Sequence, residues 1–174
     1  MDAPGRVLIL TGPPGSGKTT VARIVASRFD QAVHLEADDF FHFIHSGYIE
    51  PWKSESHSQN EVVIEIVGDA ASRFAQASYF TIVEGILLPE WFFTPLQERL
   101  RSAGLVVATT ILRPQLAVCM SRAGDRASRP LADRAVLEQL WHGFEDLGVL
   151  EQHVIDNSDQ EAETTAEIVM ARLA

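Results

Sequence analysis

A glycine-rich segment that follows the first apolar run limits most strongly what this chain can fold into. It reads Gly12-Pro13-Pro14-Gly15-Ser16-Gly17-Lys18-Thr19 and fills every fixed position of the pattern G-x-x-x-x-G-K-[ST]. The compact apolar run before it, residues 6–10, predicts a strand, and residues 18–29 predict a helix. A chance glycine-rich turn would not need all of these positions between a strand and a helix. We therefore interpret the segment as a phosphate-binding loop, or P-loop.

The residue types of this loop fit the binding of a nucleoside triphosphate. Its glycines let the backbone turn tightly and direct N–H groups at phosphate oxygens. The positive end of the following helix adds to that anion site. Lys18 is expected to reach the β- and γ-phosphates, and the Thr19 hydroxyl is expected to bind Mg²⁺. The residues predicted to bind ATP here are Gly15, Ser16, Gly17, Lys18, Thr19 and Thr20.

The rest of the chain alternates short apolar runs with longer amphipathic stretches, which predicts an α/β fold with a mainly parallel sheet. Further strands are expected at about residues 32–36, 79–83, 105–112 and 153–156. Further helices are expected at about residues 61–77 and 96–103, after Pro114, and from about residues 133 and 162. The helix at 61–77 carries apolar residues at helical spacing, namely Val62, Val63, Ile66, Ala70 and Phe74. No linker or repeat interrupts the pattern, so we expect one domain over residues 1–174.

Two predicted strands end in acidic residues. In an open α/β sheet, the carboxyl ends of the strands lie beside the ligand. The second strand is followed by Asp38 and Asp39, which are candidates for accepting the proton of an acceptor hydroxyl or for binding that hydroxyl. Asp38 is the first choice and Asp39 its rival, since Asp39 could simply cap the next helix. The third strand ends in Glu84, a candidate for a water-mediated Mg²⁺ contact, and in Gly85, which would let a substrate approach the backbone.

Three arginines follow the helix after Pro114. Arg122, Arg126 and Arg129 lie within eight residues and precede Pro130-Leu131. Guanidinium groups stack on adenine and clamp phosphoryl groups, although a solvated basic loop paired with nearby aspartates is the alternative. Beside a complete P-loop, the segment is better interpreted as a lid over ATP, at about residues 123–132.

In these motifs, the chain resembles the small P-loop kinases of the shikimate kinase, gluconate kinase and chloramphenicol phosphotransferase group. The P-loop, the strand-end acids, the arginine segment and a closing stretch at residues 154–158 appear in the family order, over most of the chain. The resemblance implies a three-layer P-loop NTPase fold with a five-stranded sheet of order 2-3-1-4-5 and a small lid. It also implies an enzyme that moves the γ-phosphoryl group of Mg·ATP to a hydroxyl of a small molecule.

The same resemblance implies roles for single residues. In shikimate kinases an acid-x-acid pair ends the second strand, the first acid serving magnesium and the second the substrate, and Glu36 and Asp38 occupy these positions. The family's lid runs from an adenine-stacking arginine to a catalytic arginine before Pro-Leu. Arg122 and Arg129 match that spacing, with Arg126 between them as a further nucleotide-binding candidate. Residues 154–158 resemble the loop that borders adenine.

The chain also departs from shikimate kinases, and the departures concern the acceptor. The third strand lacks their triple glycine, and their substrate-binding arginines have no clear counterpart between residues 38 and 72. Between residues 31 and 78 the permanent cations are Lys53 and Arg73. The same region holds a group of aromatic residues soon after the second strand, at least half of which are expected in the core: Phe40, Phe41, Phe43, Tyr48 and Trp52. A neutral or cationic acceptor, such as a sugar, a nucleoside or an antibiotic-like alcohol, fits this composition best.

Composition excludes several other classes of function. With 14 Lys and Arg against 24 Asp and Glu, the chain carries a formal charge of −10, which argues against nucleic acid as a partner. The apolar runs are too short to cross a bilayer and no leader is evident, so a cytoplasmic location is expected. The single cysteine, Cys119, is expected to be a buried structural thiol. Both a monomer and a homodimer stay open.

Besides a small-molecule kinase, three other functions are compatible with these motifs. One is a nucleoside monophosphate kinase such as a cytidylate kinase. Another is a P-loop ATPase or switch that has no small-molecule acceptor, and the third is a zeta-toxin-like kinase that acts on a nucleotide sugar. ATP hydrolysis that rises with one added metabolite would distinguish a kinase from a switch.

Overall fold

The computed structural model describes residues 5–124 and 134–173, and within these ranges strands and helices alternate along the chain. The strands are β1 Arg6–Thr11, β2 Ala32–Glu36, β3 Phe80–Gly85, β4 Val106–Leu112 and β5 Val154–Ile155. The helices are α1 Lys18–Ala26, α2 Ala37–Phe40, α3 His57–Gln76, α4 Thr94–Ser102, α5 Leu116–Gly124, α6 Arg134–His142 and α7 Ala162–Ala171. One turn of π-helix, Pro89–Phe93, leads into α4.

The strands form one parallel sheet in the order β2-β3-β1-β4-β5, which confirms the predicted α/β class and strand order. In the β2–β3 pair, Glu36 lies opposite Glu84, and in the β1–β3 pair Thr11 lies opposite Gly85. Because all strands run in the same direction, their carboxyl ends share one edge of the sheet. The P-loop and the acidic strand ends therefore lie along the same edge.

The central strand β1 divides its side chains between two hydrophobic layers. Val7 and Ile9 pack with α3 and α4 on one face, and Leu8 and Leu10 pack with α1 and α7 on the other. All four are at most 1% exposed. Successive residues of a strand point to opposite faces, so a strand buried on both faces is an uninterrupted apolar run. The result is the three-layer arrangement of helix, sheet and helix.

The long helix α3 buries a different stripe from the one that the sequence suggested. Its core face consists of Val63, Ile64, Val67, Ala71 and Ala75, whereas Val62, Ile66 and Phe74 are 55%, 50% and 39% exposed. The helix carries two overlapping apolar stripes, and helical spacing alone does not choose between them. The choice follows from close packing, because small residues such as Ala71 and Ala75 bring the helix near the sheet. The end of α3 lies so close to Gly5, the residue before β1, that a Cβ on Gly5 would be 2.3 Å from the Ala75 carbonyl oxygen.

Other boundaries differ by a few residues from the predictions. Helix α3 begins at His57, four residues earlier than expected, and β5 has two residues. The region after residue 38, which showed no periodicity, contains α2 and two 3-10 turns, Phe41–Phe43 and Ser54–Ser56. Such short turns have no repeat long enough to detect in a sequence.

No helix in the described part of the chain combines the length and the apolar character that crossing a membrane would require.

Two valines of α3 test which stripe faces the core. Val67 is fully buried and Val62 is 55% exposed. Val67→Ala should lower the free energy of unfolding by about 2 kcal/mol, because it leaves a cavity. Val62→Ala should change it by less than about 0.5 kcal/mol. Urea unfolding of both variants measures the difference, and equal losses would contradict the orientation of α3.

Candidate active site

The P-loop turns tightly between β1 and α1 because two of its glycines lie against other parts of the backbone. Gly12 has φ of 148° and Gly15 has φ of 78°, in the region that side chains rarely adopt. A Cβ on Gly12 would lie 2.1 Å from the Leu112 carbonyl oxygen, and one on Gly15 would lie 2.3 Å from that of Cys119. Both glycines are therefore required by backbone conformation and by the close approach of β4 and α5.

Lys18, the first residue of α1, folds back over this turn. Its Nζ donates hydrogen bonds to the carbonyl oxygens of Gly12 at 3.0 Å and Pro13 at 3.1 Å. The side chain is 7% exposed, so the ammonium is largely removed from water at the mouth of the loop. Of the other predicted loop residues, Ser16 is fully buried, Gly17 precedes α1 as its N-cap, and Thr20 is exposed.

Thr19 joins the loop to the acidic end of β3. Its hydroxyl donates a hydrogen bond of 2.8 Å to Oε1 of Glu84, which is 4% exposed. Glu36 lies opposite Glu84 across the strand pair, and its Oε1 accepts a hydrogen bond of 3.0 Å from Arg23. The structure thus brings the three predicted magnesium residues together. A hydroxyl and two carboxylates are the hard oxygen ligands that Mg²⁺ prefers, so the residues present fit this cation.

A histidine that the sequence analysis overlooked completes this cluster. His34, Glu36 and Glu84 each offer a ligand atom, and these atoms lie within 4.8 Å of one another. The Nε2 atom of His34 lies 3.9 Å from Oε1 of Glu84. Burial lowers the pKa of His34, and this effect exceeds the opposing effect of the Glu36 carboxylate. The sequence contained a signal for His34, because residues two apart in a strand lie on the same face, and His34 and Glu36 are two apart in β2.

The structure separates the two rival aspartates. Asp38 lines the central cavity, and its Oδ1 would be 3.6 Å from a Cβ on Gly85. Asp39 is not among the residues that line the cavity; it lies 3.6 Å from His42, which does line it, in a pair whose side chains are 46% and 66% exposed. Both residues are in the first turn of α2. The predicted substrate residues Asp38 and Gly85 therefore come together beside the cavity, and Asp39 does not line it.

The cavity has a volume of about 420 Å³ and extends from the P-loop into an apolar chamber. Its P-loop end is formed by Pro14, Gly15, Gly17, Lys18 and Thr19, and its carboxylates are Glu36, Asp38 and Glu84. The chamber is lined mainly by aromatic and aliphatic side chains, namely Phe41, Tyr48, Trp52, Ile64, Ile86, Leu87, Leu88, Trp91, Phe92 and Leu140. Trp91, Phe92 and Leu140 come from distant segments, and no short motif in the sequence indicated them.

The aromatic residues of the predicted acceptor region divide between core and cavity. Phe41 is 7% exposed and Phe40 packs partly buried against the core, whereas Phe43 is 73% exposed. Tyr48 and Trp52 line the cavity. Partial burial, with the nearby Glu50 and Asp38 carboxylates, raises the pKa of Tyr48. Its phenol is therefore a neutral hydrogen-bond donor near Asp38 at physiological pH.

On the other side of the P-loop, Arg122 and the loop after β5 form a second set of contacts. Nη2 of Arg122 donates to the carbonyl oxygens of Asn157 and Ser158, each at 3.3 Å. Nδ2 of Asn157 donates to the Ser16 carbonyl oxygen at 2.9 Å, and Asn157 is 3% exposed. The two segments predicted to border adenine thus meet beside the P-loop. Arg126, Arg129 and most of the predicted lid lie outside the described residues.

Cys119 lies under the P-loop as a buried thiol, as predicted. It is 3% exposed, and burial raises its pKa to about 11 against the opposing effect of Lys18 and Arg122. A thiol with this pKa is protonated at neutral pH and is a poor nucleophile. Its backbone carbonyl, which contacts Gly15, is the part of Cys119 that matters to the site.

The hydrogen bond from Asn157 to Ser16, which joins the loop after β5 to the P-loop, can be tested by mutation. Asn157→Ala leaves the Ser16 carbonyl without this donor, so it should weaken ATP binding by roughly tenfold, equivalent to about 1.4 kcal/mol. The matched control is Asn60→Ala, because the 6% exposed Asn60 also donates from Nδ2 to a backbone carbonyl, that of Pro51, at 2.8 Å.

Both alanine variants should lose about 1–3 kcal/mol of stability. Titration with a fluorescent ATP analogue should show weaker binding for Asn157→Ala alone. Equal ATP affinities of the two variants would mean that Asn157 is structural only.

Comparison with solved structures gives three informative neighbours. The tunicamycin resistance protein of Deinococcus radiodurans superposes with a TM-score of 0.73 at 20% identity, over 98% of this chain and 96% of that one. A gluconokinase from Sinorhizobium meliloti 1021 gives 0.69 at 20% identity, over 98% and 94%. The APS kinase of Mycobacterium tuberculosis, solved with AMPPNP and APS, gives 0.70 at 18% identity, over 99% of each chain. At these identities the likeness is one of fold.

Sequence comparison identifies the family. No curated protein sequence matches this chain significantly. A family model described as an AAA domain matches residues 7–147, which include the P-loop, the strand-end acids and the arginine segment. The chain has the P-loop, the parallel sheet of order 2-3-1-4-5 and the fold of the small P-loop kinases, and it belongs to the AAA domain family.

Proposed function

We propose that this protein is an ATP-dependent kinase that transfers the γ-phosphoryl group of Mg·ATP to a hydroxyl of a small, neutral or cationic molecule with an apolar body. The observation that carries the proposal is the continuous cavity between the P-loop and the apolar chamber, with Asp38 at its wall. A donor phosphate on the loop and an acceptor in the chamber would meet beside this carboxylate. Neighbours of the same fold that are named as kinases support the reaction class.

The charges around the chamber argue against an anionic acceptor. Among the described residues that line the cavity, Lys18 is the permanent cation, and it belongs to the P-loop. Lys53 does not line this cavity and is paired with Glu50 at 2.8 Å. Arg73 is in the last turn of α3 and is exposed. A monophosphate acceptor requires arginine or lysine donors, which the described part of the chamber does not supply.

The proposed chemistry uses groups that the fold already positions. The acceptor hydroxyl oxygen attacks the γ-phosphorus, the new O–P bond forms, and the bond to the β-phosphate oxygen breaks to release ADP. Asp38 accepts the hydroxyl proton, and Lys18 stabilises the charge on the transferred phosphoryl group. Thr19, Glu36 and Glu84 would hold Mg²⁺, which neutralises charge on the β- and γ-phosphates when bound. Arg122 is proposed to contact adenine, and Arg129 is proposed to stabilise the transferring group.

The apolar walls would serve the reaction by excluding water. Tyr48, Trp52, Trp91 and Phe92 line the cavity, and an acceptor that fills it would displace water from beside Asp38. Water is the alternative acceptor in any phosphoryl transfer, so its exclusion limits ATP hydrolysis. The Tyr48 phenol offers a neutral donor that could orient a second polar group of the acceptor.

The adjacent aspartates provide a matched pair of variants. Asp38→Asn should lower kcat by roughly 10² to 10⁴, because the amide cannot accept the proton. It should change ATP affinity little. Asp39→Asn should lower kcat less than threefold, since an exposed pair with His42 contributes on the order of 0–1 kcal/mol. Steady-state kinetics of both variants decides the assignment, and a large effect of Asp39→Asn alone would reverse it.

An acceptor panel tests the function itself. ADP release should rise at least tenfold over the basal rate with one class of neutral or cationic hydroxyl compound, among sugars, nucleosides, amino alcohols and apolar antibiotics. The matched comparison uses each nucleoside against its monophosphate, scored by kcat/KM. The nucleoside should be preferred, because the described chamber residues offer no permanent cation for a phosphate.

Two outcomes of this panel would contradict the proposal. A preference for CMP, UMP or AMP would establish a nucleoside monophosphate kinase. ATP hydrolysis that no acceptor stimulates would instead favour a P-loop ATPase or switch.

A further inference from the structure

A second cavity, which we call the outer cavity, adjoins the central cavity on the side away from the P-loop residues. It has a volume of about 380 Å³ and shares four wall residues with the central cavity, namely Pro51, Trp52, Trp91 and Phe92. The rest of its wall is mostly polar and includes Lys53, Ser54, His57, Asn60, Glu61 and Gln139. Small-molecule sites usually have volumes of about 300–1,000 Å³, so each cavity alone is at the lower end of that range. A longer molecule would fill both.

The wall that the two cavities share is mainly aromatic. Trp91 is 45% exposed and Trp52 is half-buried, so part of each indole remains open to a ligand. Exposed aromatic side chains beside a cavity are typical of ligand sites, because they offer a large apolar contact area. The face of an indole packs against the C–H groups of a sugar ring as well as against another aromatic ring. Trp52 and Trp91 are therefore suited to contact both parts of a ligand that extends from one cavity into the other.

The basic side chains of the outer cavity already have carboxylate partners. Lys53 lies 2.8 Å from Glu50, and His57 lies 3.3 Å from Glu61. Within the part of the chain that the structure describes, both cations of this wall are thus paired. An anionic ligand would have to displace a carboxylate, whereas an uncharged ligand would not. The charges of the outer cavity favour an uncharged ligand.

One buried polar atom beside the outer cavity has no hydrogen-bond partner. Asn60 is 6% exposed, and its Nδ2 donates to the Pro51 carbonyl oxygen and to the Ser56 hydroxyl, each at 2.8 Å. Within residues 5–124 and 134–173, its Oδ1 accepts no hydrogen bond. Buried amide oxygens are normally paired with a protein donor or with water. Together with the carboxamide of Gln139, this acceptor favours a ligand that carries several hydroxyl groups.

We propose that the acceptor has two linked parts: an apolar part that carries the reacting hydroxyl and occupies the chamber beside Asp38, and a neutral sugar ring that occupies the outer cavity. This inference rests on the kinase proposal and narrows its acceptor to glycosides of hydroxylated apolar compounds. The phosphoryl group goes to the hydroxyl of the apolar part, because Asp38 lines the central cavity and not the outer one. Linking the two parts makes the second contact intramolecular, so the glycoside binds more tightly than either half.

The three tryptophans of the chain allow a direct test of binding. The probe is salicin, 2-(hydroxymethyl)phenyl β-D-glucoside, and its halves are 2-hydroxybenzyl alcohol and methyl β-D-glucoside. In ¹H–¹⁵N spectra of the nucleotide-free protein, salicin should shift the indole N–H signals of Trp52 and Trp91. Trp141 is the internal control, since it lines neither cavity and donates from Nε1 to the Pro114 carbonyl oxygen at 2.9 Å. Salicin should bind at least about tenfold more tightly than either half.

Two neighbouring positions provide matched variants for locating the sugar ring. Ser54 lines the outer cavity but not the central one, and Glu55 lines neither, although both are exposed in the same 3-10 turn. Ser54→Trp should fill part of the outer cavity and lower the affinity for salicin to that for 2-hydroxybenzyl alcohol. Glu55→Trp should leave the affinity for salicin unchanged. If Ser54→Trp fails to fold, Gln139→Trp introduces the same ring from the exposed surface of α6.

Three results would overturn the proposal: no shift of the Trp52 and Trp91 signals up to millimolar salicin, salicin that binds no more tightly than 2-hydroxybenzyl alcohol, or a Ser54→Trp variant that loses affinity for 2-hydroxybenzyl alcohol as well. None of these measurements includes ATP, so a negative result leaves the kinase proposal standing. Salicin binding as expected, with no phosphoryl transfer to any member of the acceptor panel, would instead reject the kinase proposal and leave a two-part ligand site.

Discussion

The site depends on the close packing of the P-loop backbone against two neighbouring segments. Gly12 lies against the end of β4 and Gly15 against α5, at distances that leave no room for a Cβ. This contact fixes the turn that directs the loop at its ligand and also fixes the start of α1, where Lys18 and Thr19 are located. A loop held in this way needs little rearrangement on binding, which is the basis of electrostatic preorganisation. The strand order follows the same requirement, because β4 must lie next to β1 to supply the carbonyl of Leu112.

The parallel sheet then gathers the acidic residues at the same edge. Glu36 and Glu84 are 48 residues apart in the sequence, yet they lie opposite each other because β2 pairs with β3 in this register. A shift of one residue in that pairing would place one of the carboxylates on the opposite face of the sheet. The hydrogen bond from Thr19 to Glu84 joins this edge to the P-loop. Phosphate binding and cation binding are therefore two consequences of one strand arrangement.

The apolar chamber has a different origin from the P-loop. Its walls come from the segment after β2, from the residues that follow β3, and from α3 and α6, and no regular element supplies more than a few of them. Several of these wall residues, such as Phe41, Leu87 and Phe92, also belong to the hydrophobic core, so the chamber is an extension of the core towards the P-loop edge of the sheet. The described fold thus combines a P-loop fixed by backbone contacts with an acceptor chamber defined by side chains.

The sequence by itself determined the P-loop, the α/β class, the parallel sheet and the candidate carboxylates, because each depends on local patterns. A glycine at a tight turn, a short apolar run and an acid at a strand end are each local signals that span only a few positions. Only the tertiary structure decided between Asp38 and Asp39 as cavity residues, turned α3 to bury Val67 rather than Ile66, and placed His34 beside Glu84. It also brought Trp91, Phe92 and Leu140 to the wall of the cavity. These outcomes depend on strand register and on packing between residues far apart in the chain, which no local pattern encodes.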